Sequence, residues 1–159
     1  MKFITKHSIS RASDEAVSLW ALASAHYPKN HIVILDIATV SVIETASSFA
    51  INARRAMEVL TYKKPYTLSQ PRWRWSPESH GELVNDLREA CNRIIHAQEL
   101  QVGFENLPGD DGFIKNGTQV IPYIRAETDR KELAFIDPFA LAYSFLYEVL
   151  PDLNYVTTK

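Results

Sequence analysis

Apolar and polar positions alternate along this chain with a helical period in four places. "SDEAVSLWALASAHY" (13–27) opens with Ser13 as a helix N-cap and Asp14 and Glu15 in the first turn. There the helix dipole favours negative charge. Val17, Trp20, Ala21 and Leu22 supply its apolar side, and Pro28 stops it. "NHIVILDIATVSVIETASSFAINARRAMEVLTY" (30–62) runs without Gly or Pro. Its first half is rich in β-branched residues, so a strand competes there. A strand is about five to six residues long, however, and nothing punctuates this run. Phe49, Ala53, Ala56, Met57 and Leu60 then recur at helical spacing, so the pattern predicts one long helix, with a bend near Thr39 to Ser41.

"SHGELVNDLREACNRIIHAQEL" (79–100) carries Ser79 and Glu82 in the capping-box spacing, then Leu83, Leu87, Ala90 and Ile94 on one side. The fourth helical pattern is "DPFALAYSFLYEVLP" (137–151), with Asp137 as N-cap, Pro138 in the first turn and an end at Pro151. It is apolar nearly all round, which predicts burial. Between the second and third helices lies "KKPYTLSQPRWRWSPES", an extended connection punctuated by Pro65, Pro71 and Pro77. After Gly103 a turn-rich stretch, including "PGDDG", precedes "QVIPYIRAETDRKELAFI", two β-like runs around a polar turn. Pro122 restricts the first run to a sheet edge. These patterns predict a mainly α protein: a helical bundle with a small late β-hairpin. It forms one domain over 1–159, with a helical core at about 13–100 and the loop, hairpin and last helix at 101–151.

Composition narrows the function classes. With 46% hydrophobic and 23% charged residues, the 159-residue chain has material for a core and no sign of disorder. A net charge of −2 excludes a global basic field. One cysteine rules out an intramolecular disulfide and fits a reducing, cytoplasmic compartment. Asp36 and Glu44 interrupt the most apolar stretch, so no membrane span is expected. His7, His26, His31, His80 and His96 lack metal-ligand spacing, and no metal or other cofactor is expected.

The chemistry-bearing candidates sit in "REACNRIIHAQEL" (88–100). Arg88, Asn92 and His96 are spaced i, i+4, i+8, one turn apart, while Cys91 falls with Leu87 and Ile94 on the core side of the wheel. Imidazole titrates near neutrality and moves protons. Guanidinium holds phosphate, and an amide orients either. Such a strip is also an ordinary solvated helix face. Arg54 and Arg55, with Asn52 nearby, offer further cations from the second helix, against a plain surface reading with Glu58 as partner. Glu44 reads equally as a buried acid paired with Arg88 or His96 and as a surface residue. Arg72, Trp73, Arg74 and Trp75 in "PRWRW" combine stacking and cationic groups suited to single-stranded nucleic acid. Tryptophans in a proline-rich loop equally plug the core or contact a protein.

"CNRIIHA", late in an amphipathic helix of a helical chain, resembles the signature region of the HEPN superfamily. Those proteins are small α-helical bundles, many of them ribonucleases of toxin–antitoxin, CRISPR and phage-defence systems. Their motif is an arginine, commonly followed by a polar residue, with a histidine four to six intervening residues on. Asn92 and His96 match the polar position and the histidine. The chain departs at the arginine: Cys91 precedes Asn92, Arg88 lies further upstream and Arg93 too close to His96. The resemblance covers at most residues 30–100 less the proline loop. It implies RNA as a substrate or partner and metal-independent cleavage, with His96 in acid–base work and Arg88 and Asn92 beside it. It also implies a homodimer formed where two motif helices meet. Non-catalytic members of the superfamily are binding modules, so a protein-interaction module of the same fold stands as the alternative.

Overall fold

In the computed structural model, residues 3–60, 64–68, 81–107, 114 and 117–157 are described. The chain is mainly helical. Helix α1 spans Phe3–Ser24, ten residues upstream of the expected start. Ser13 is therefore no cap; its hydroxyl donates to the Ile9 carbonyl, 2.8 Å away, inside the helix. The apolar side also differs from the sequence expectation. Val17 is 59% exposed, and the buried face is Ser8, Ala12, Glu15, Ala16, Leu19 and Ala23. Small residues, Ser8, Ala12, Ala16 and Ala23, make up most of this face, so its apolar signal in the sequence is weak.

The strand β1 (Tyr27–Pro28) and a left-handed Asn30 (φ 61°) turn the chain back. Helix α2 (Ile32–Met57) then runs unbroken, capped by His31, whose Nδ1 accepts from the Ile34 amide at 3.3 Å. Its β-branched first half is helical despite propensity: from Ala38 onward the face Ala38, Val42, Ala46, Phe49, Ala50, Ala53, Ala56 and Met57 buries against the rest of the core, and the mostly exposed residues 32–37 continue that helix outward. Alanines on both α1 and α2 let the two helices approach closely. One polar group lies in the seam. The buried Glu15 carboxylate accepts from Ser48 Oγ and from Asn52 Nδ2 (3.3 Å), and pairs with Arg11 (3.3 Å).

The β content exceeds the expected hairpin. Among the described residues, β1, β4 (Glu105–Asn106) and β5 (Thr118–Val120) form one sheet in the order β1-β5-β4. A second sheet has the order β2-β7-β6-β3, from β2 (Glu82–Leu83), β3 (Glu99–Val102), β6 (Ile124–Glu127) and β7 (Ala134–Ile136). Pro122 does not sit on an edge strand. It falls in the gap between β5 and β6, where the chain passes from one sheet to the other and no ladder amide is required. Strand β6 is central, with β3 and β7 antiparallel on either side.

Helix α3 (Leu87–Ile95) has its N-cap at Asp86, seven residues after Ser79, where the capping-box pattern placed it. Glu82 and Leu83 pair in parallel with Ala134 and Phe135 instead. Helix α4 (Pro138–Ser144) is capped as expected: Asp137 accepts from the Phe139 amide (2.8 Å) and the Ala140 amide (3.1 Å). It continues through a π turn, Phe145–Val149, into α5 (Leu150–Thr157), so Pro151 does not end it. The wider turn takes up the proline: the Leu150 amide bonds the Phe145 carbonyl five residues back. Nor is this segment buried all round. Phe139, Tyr143 and Tyr147 stack along one side, with Trp20 of α1 against them and Tyr147 61% exposed.

By length and composition α2 is apolar enough to cross a membrane, although Asp36 and Glu44 interrupt it, and 22% of its most apolar stretch is buried.

Candidate functional site

Helix α3 is positioned from both ends. Asp86 is its N-cap; its carboxylate accepts from the Glu89 amide at 2.9 Å. The preceding residues are tied to the chain after α2, with the Leu87 amide on the Tyr66 carbonyl (2.8 Å) and the Leu68 amide on the Asn85 carbonyl (2.7 Å). Leu87, Ala90, Cys91 and Ile94 are buried, as the wheel predicts. Cys91 is fully buried, and desolvation pushes its thiol up to about 12, against the opposing influence of Arg54 and Arg88.

The strip Arg88–Asn92–His96 does not stay together. Eight residues of helix turn through roughly 80° more than two full turns, so the first and last members of the strip face differently. Arg88 is half-buried against the end of α2, where its Nη2 donates to the Met57 carbonyl at 3.4 Å. Its guanidinium stands by the open carbonyls of that helix, where the dipole favours a cation. His96 is the C-cap of α3 and exposed; its amide bonds the Asn92 carbonyl at 3.0 Å.

Asn92 and His96 instead share a pocket of about 470 Å³ with Arg93 and with Thr128, Asp129, Arg130 and Lys131, from the connection between β6 and β7. Asp129, Arg130 and Lys131 are exposed. Arg93, too close to His96 to fit the motif spacing, is 5% exposed and anchors the site. It donates to Glu89 (2.9 Å), to Glu82, and to the Glu132 carbonyl (2.7 Å). A buried guanidinium needs such partners, and these three tie α3 to β2 and to the β6–β7 connection. Lys131 bonds Glu89 at 2.7 Å, and this bond chiefly holds the Glu89 carboxyl below its ordinary range, with Arg93 adding to it.

The pocket therefore combines an exposed imidazole, an amide, a hydroxyl, the Asp129 carboxylate and two exposed cations, Arg130 and the Glu89-paired Lys131. That set suits an anion whose neighbouring atoms exchange a proton. Among the described residues, no group of three or more His, Cys, Asp and Glu is placed to hold a metal.

The other candidates lie elsewhere. Arg54 is half-buried near Cys91, and Arg55 is exposed; neither lines this pocket. Glu44 is exposed on α2. Arg72, Trp73, Arg74 and Trp75, the cap Ser79 and the "PGDDG" turn lie outside the described residues. Arg130 and Lys131 belong by sequence to a polar turn, and only the fold brings that turn to α3. Comparison with family models, with curated proteins and with solved structures finds no match for this chain.

Proposed function

We propose that the pocket at the end of α3 binds RNA phosphate and that the protein is a metal-independent endoribonuclease of HEPN type, of the toxin or phage-defence kind. The observation that carries the reading is His96, exposed beside Asn92, Arg130 and Lys131 rather than enclosed by aliphatic side chains. In this reading His96 takes the proton of the attacking ribose 2′-hydroxyl as the 2′-oxygen bonds to phosphorus; the bond from phosphorus to the 5′-oxygen breaks, and water protonates the departing oxygen. Arg130, not Arg88, stabilises charge on the phosphate, and Asn92 orients the group bound between them. The cleaved strand then ends in a 2′,3′-cyclic phosphate, with a 5′-hydroxyl on the other product. No cofactor takes part, and the location is cytoplasmic. The reading takes the helices as the superfamily's bundle, β6–β7 as a hairpin appended to it, and 1–159 as one domain.

A second reading draws support from Cys91, fully buried where the superfamily motif carries arginine. It is the non-catalytic module, in which the same pocket and the hairpin edge dock a protein. Incubating the purified chain with mixed single-stranded RNA in EDTA separates the two. The ribonuclease reading expects cleavage that resists EDTA, is lost in His96→Ala and is weakened at least about tenfold in Arg130→Ala. An inactive wild type defeats it and leaves the module.

A further inference from the structure

We infer that a second cavity, across the β6–β7 connection from the α3 pocket, is a subsite for a guanine base. The inference rests on the ribonuclease reading for the strand that carries the base; its first test, with free nucleotides, does not. The cavity measures about 490 Å³. Arg125 and Glu127 of β6 line it, with Glu132 and Leu133 ahead of β7 and Gly81 ahead of β2. Thr128 and Lys131 line both this cavity and the α3 pocket. A nucleotide seated here therefore adjoins a phosphate held beside His96.

The charged groups of this cavity do not neutralise one another. Among the described residues, Arg125, Glu127 and Glu132 form no ion pair, although all three line one space. The half-buried Arg125 donates from Nη1 to the Gln101 carboxamide at 3.1 Å, and its Nε–H has no acceptor. Lys131 is turned to Glu89 instead. Along β6, Arg125 and Glu127 alternate with the buried Ile124 and Ala126, so both leave the same face of the sheet, about 7 Å apart at Cα, a separation that a purine bridges. Gly81 keeps the wall bare: a Cβ there would run into the Phe135 ring. With Leu133 it offers an apolar surface to the flat of a ring.

The mixture of charge selects the occupant. A second phosphate suits Arg125 but is repelled by two carboxylates. The ligand has to bring acceptors to a guanidinium and donors to a carboxylate. Among the four RNA bases, guanine does both in pairs. Its O6 and N7 accept from the guanidinium of Arg125, and its N1–H and N2–H donate to the two oxygens of Glu127. Adenine and cytosine bring a single donor group, and uracil a single N–H, so each leaves a charged side chain part-satisfied.

Calorimetric titration of the full chain with GMP, AMP, CMP and UMP in EDTA tests it. GMP is expected to bind at least about tenfold more tightly than the other three, and inosine monophosphate, which lacks the N2 amino group, at least about fivefold more weakly than GMP. Arg125→Gln and Glu127→Gln should each bring GMP to the level of AMP with circular dichroism unchanged. Arg130→Ala should weaken all four alike, because it meets the phosphate. Equal affinities overturn the inference, as does binding of none of the four. So does a guanine preference that survives both Arg125→Gln and Glu127→Gln. Cleavage of an oligonucleotide with one guanosine then separates this inference from the reading it rests on. A chain that prefers GMP and cuts no RNA keeps the guanine site and defeats the ribonuclease. A chain that cuts without regard to the guanosine keeps the ribonuclease and overturns the subsite.

Discussion

Lys131 reaches across 42 residues of sequence to Glu89, Nζ to Oε1 at 2.7 Å, and so closes the β6–β7 connection onto α3. The same carboxylate holds the buried Arg93. One acidic side chain thus fixes both walls of the pocket.

This pair makes stability depend on pH. The folded state holds Glu89 ionised below its ordinary range. Its contribution is therefore complete above the unfolded value, near 4.3 on average, and is lost as pH falls through the folded value. Glu89→Gln is expected to cost about 1–2 kcal/mol at pH 7, chiefly by depriving Arg93 of a charged partner. The difference in unfolding midpoint between wild type and variant should shrink steadily as pH drops below the ordinary carboxylate range, through the lowered folded value. A difference that stays constant through that range refutes the assignment.

Cys91 offers the sharpest test of how α3 is rotated. Fully buried, with its thiol raised to about 12, it should label slowly in the native protein and rapidly in denaturant. Cys91→Ala should fold, at a cost of about 1 kcal/mol. Cys91→Arg restores the residue type of the HEPN motif but buries a charge already close to Arg54 and Arg88. It should lose about 3–5 kcal/mol or fail to fold, rather than gain cleavage. A folded and active Cys91→Arg protein would contradict the packing of α3 described above.

Arg88 and His96 should separate in their effects. Arg88→Met removes a cation from the end of α2 and a donor from the Met57 carbonyl. It should lower stability by about 1 kcal/mol in urea unfolding and leave RNA retention unchanged. His96→Ala, at an exposed cap, should leave the unfolding midpoint within about 0.5 kcal/mol and act only on the pocket. Reversed effects would return Arg88 to the site.

What the sequence disclosed follows from how local each signal is. Helix α2 was legible because no Gly or Pro interrupts it, and the core side of α3 because Leu87, Ala90, Cys91 and Ile94 recur within a few turns. The start of α3 was not. Ser79–Glu82 and Asp86–Glu89 carry the same cap spacing, and the choice between them is made by β7, fifty residues away, which takes Glu82 and Leu83 as a strand. The site was half visible for the same reason. Asn92 and His96 belong to one helix, whereas Arg130 and Lys131 arrive through sheet pairing. The burial of Arg93 was not legible because two of its three acceptors, Glu82 and the Glu132 carbonyl, lie far from it along the chain.

The seam between α1 and α2 is lined with alanine, and small side chains make a smooth track. Sliding one helix along the other by a turn sets alanine against alanine at several positions, and only Leu19, Val42, Phe49 and Met57 resist it by their size. Glu15 acts as the pin in that track: Arg11 of its own helix stays with it in any register, but only where Ser48 and Asn52 stand does its carboxylate find donors on α2. Replacing it with leucine should therefore barely alter the unfolding midpoint, by about 1 kcal/mol in either direction, because an apolar residue suits the seam. Amide resonances of α1 should instead double or broaden as the helix samples neighbouring registers. Glu15 then governs how many folded states the protein has more than how firmly it holds any one of them.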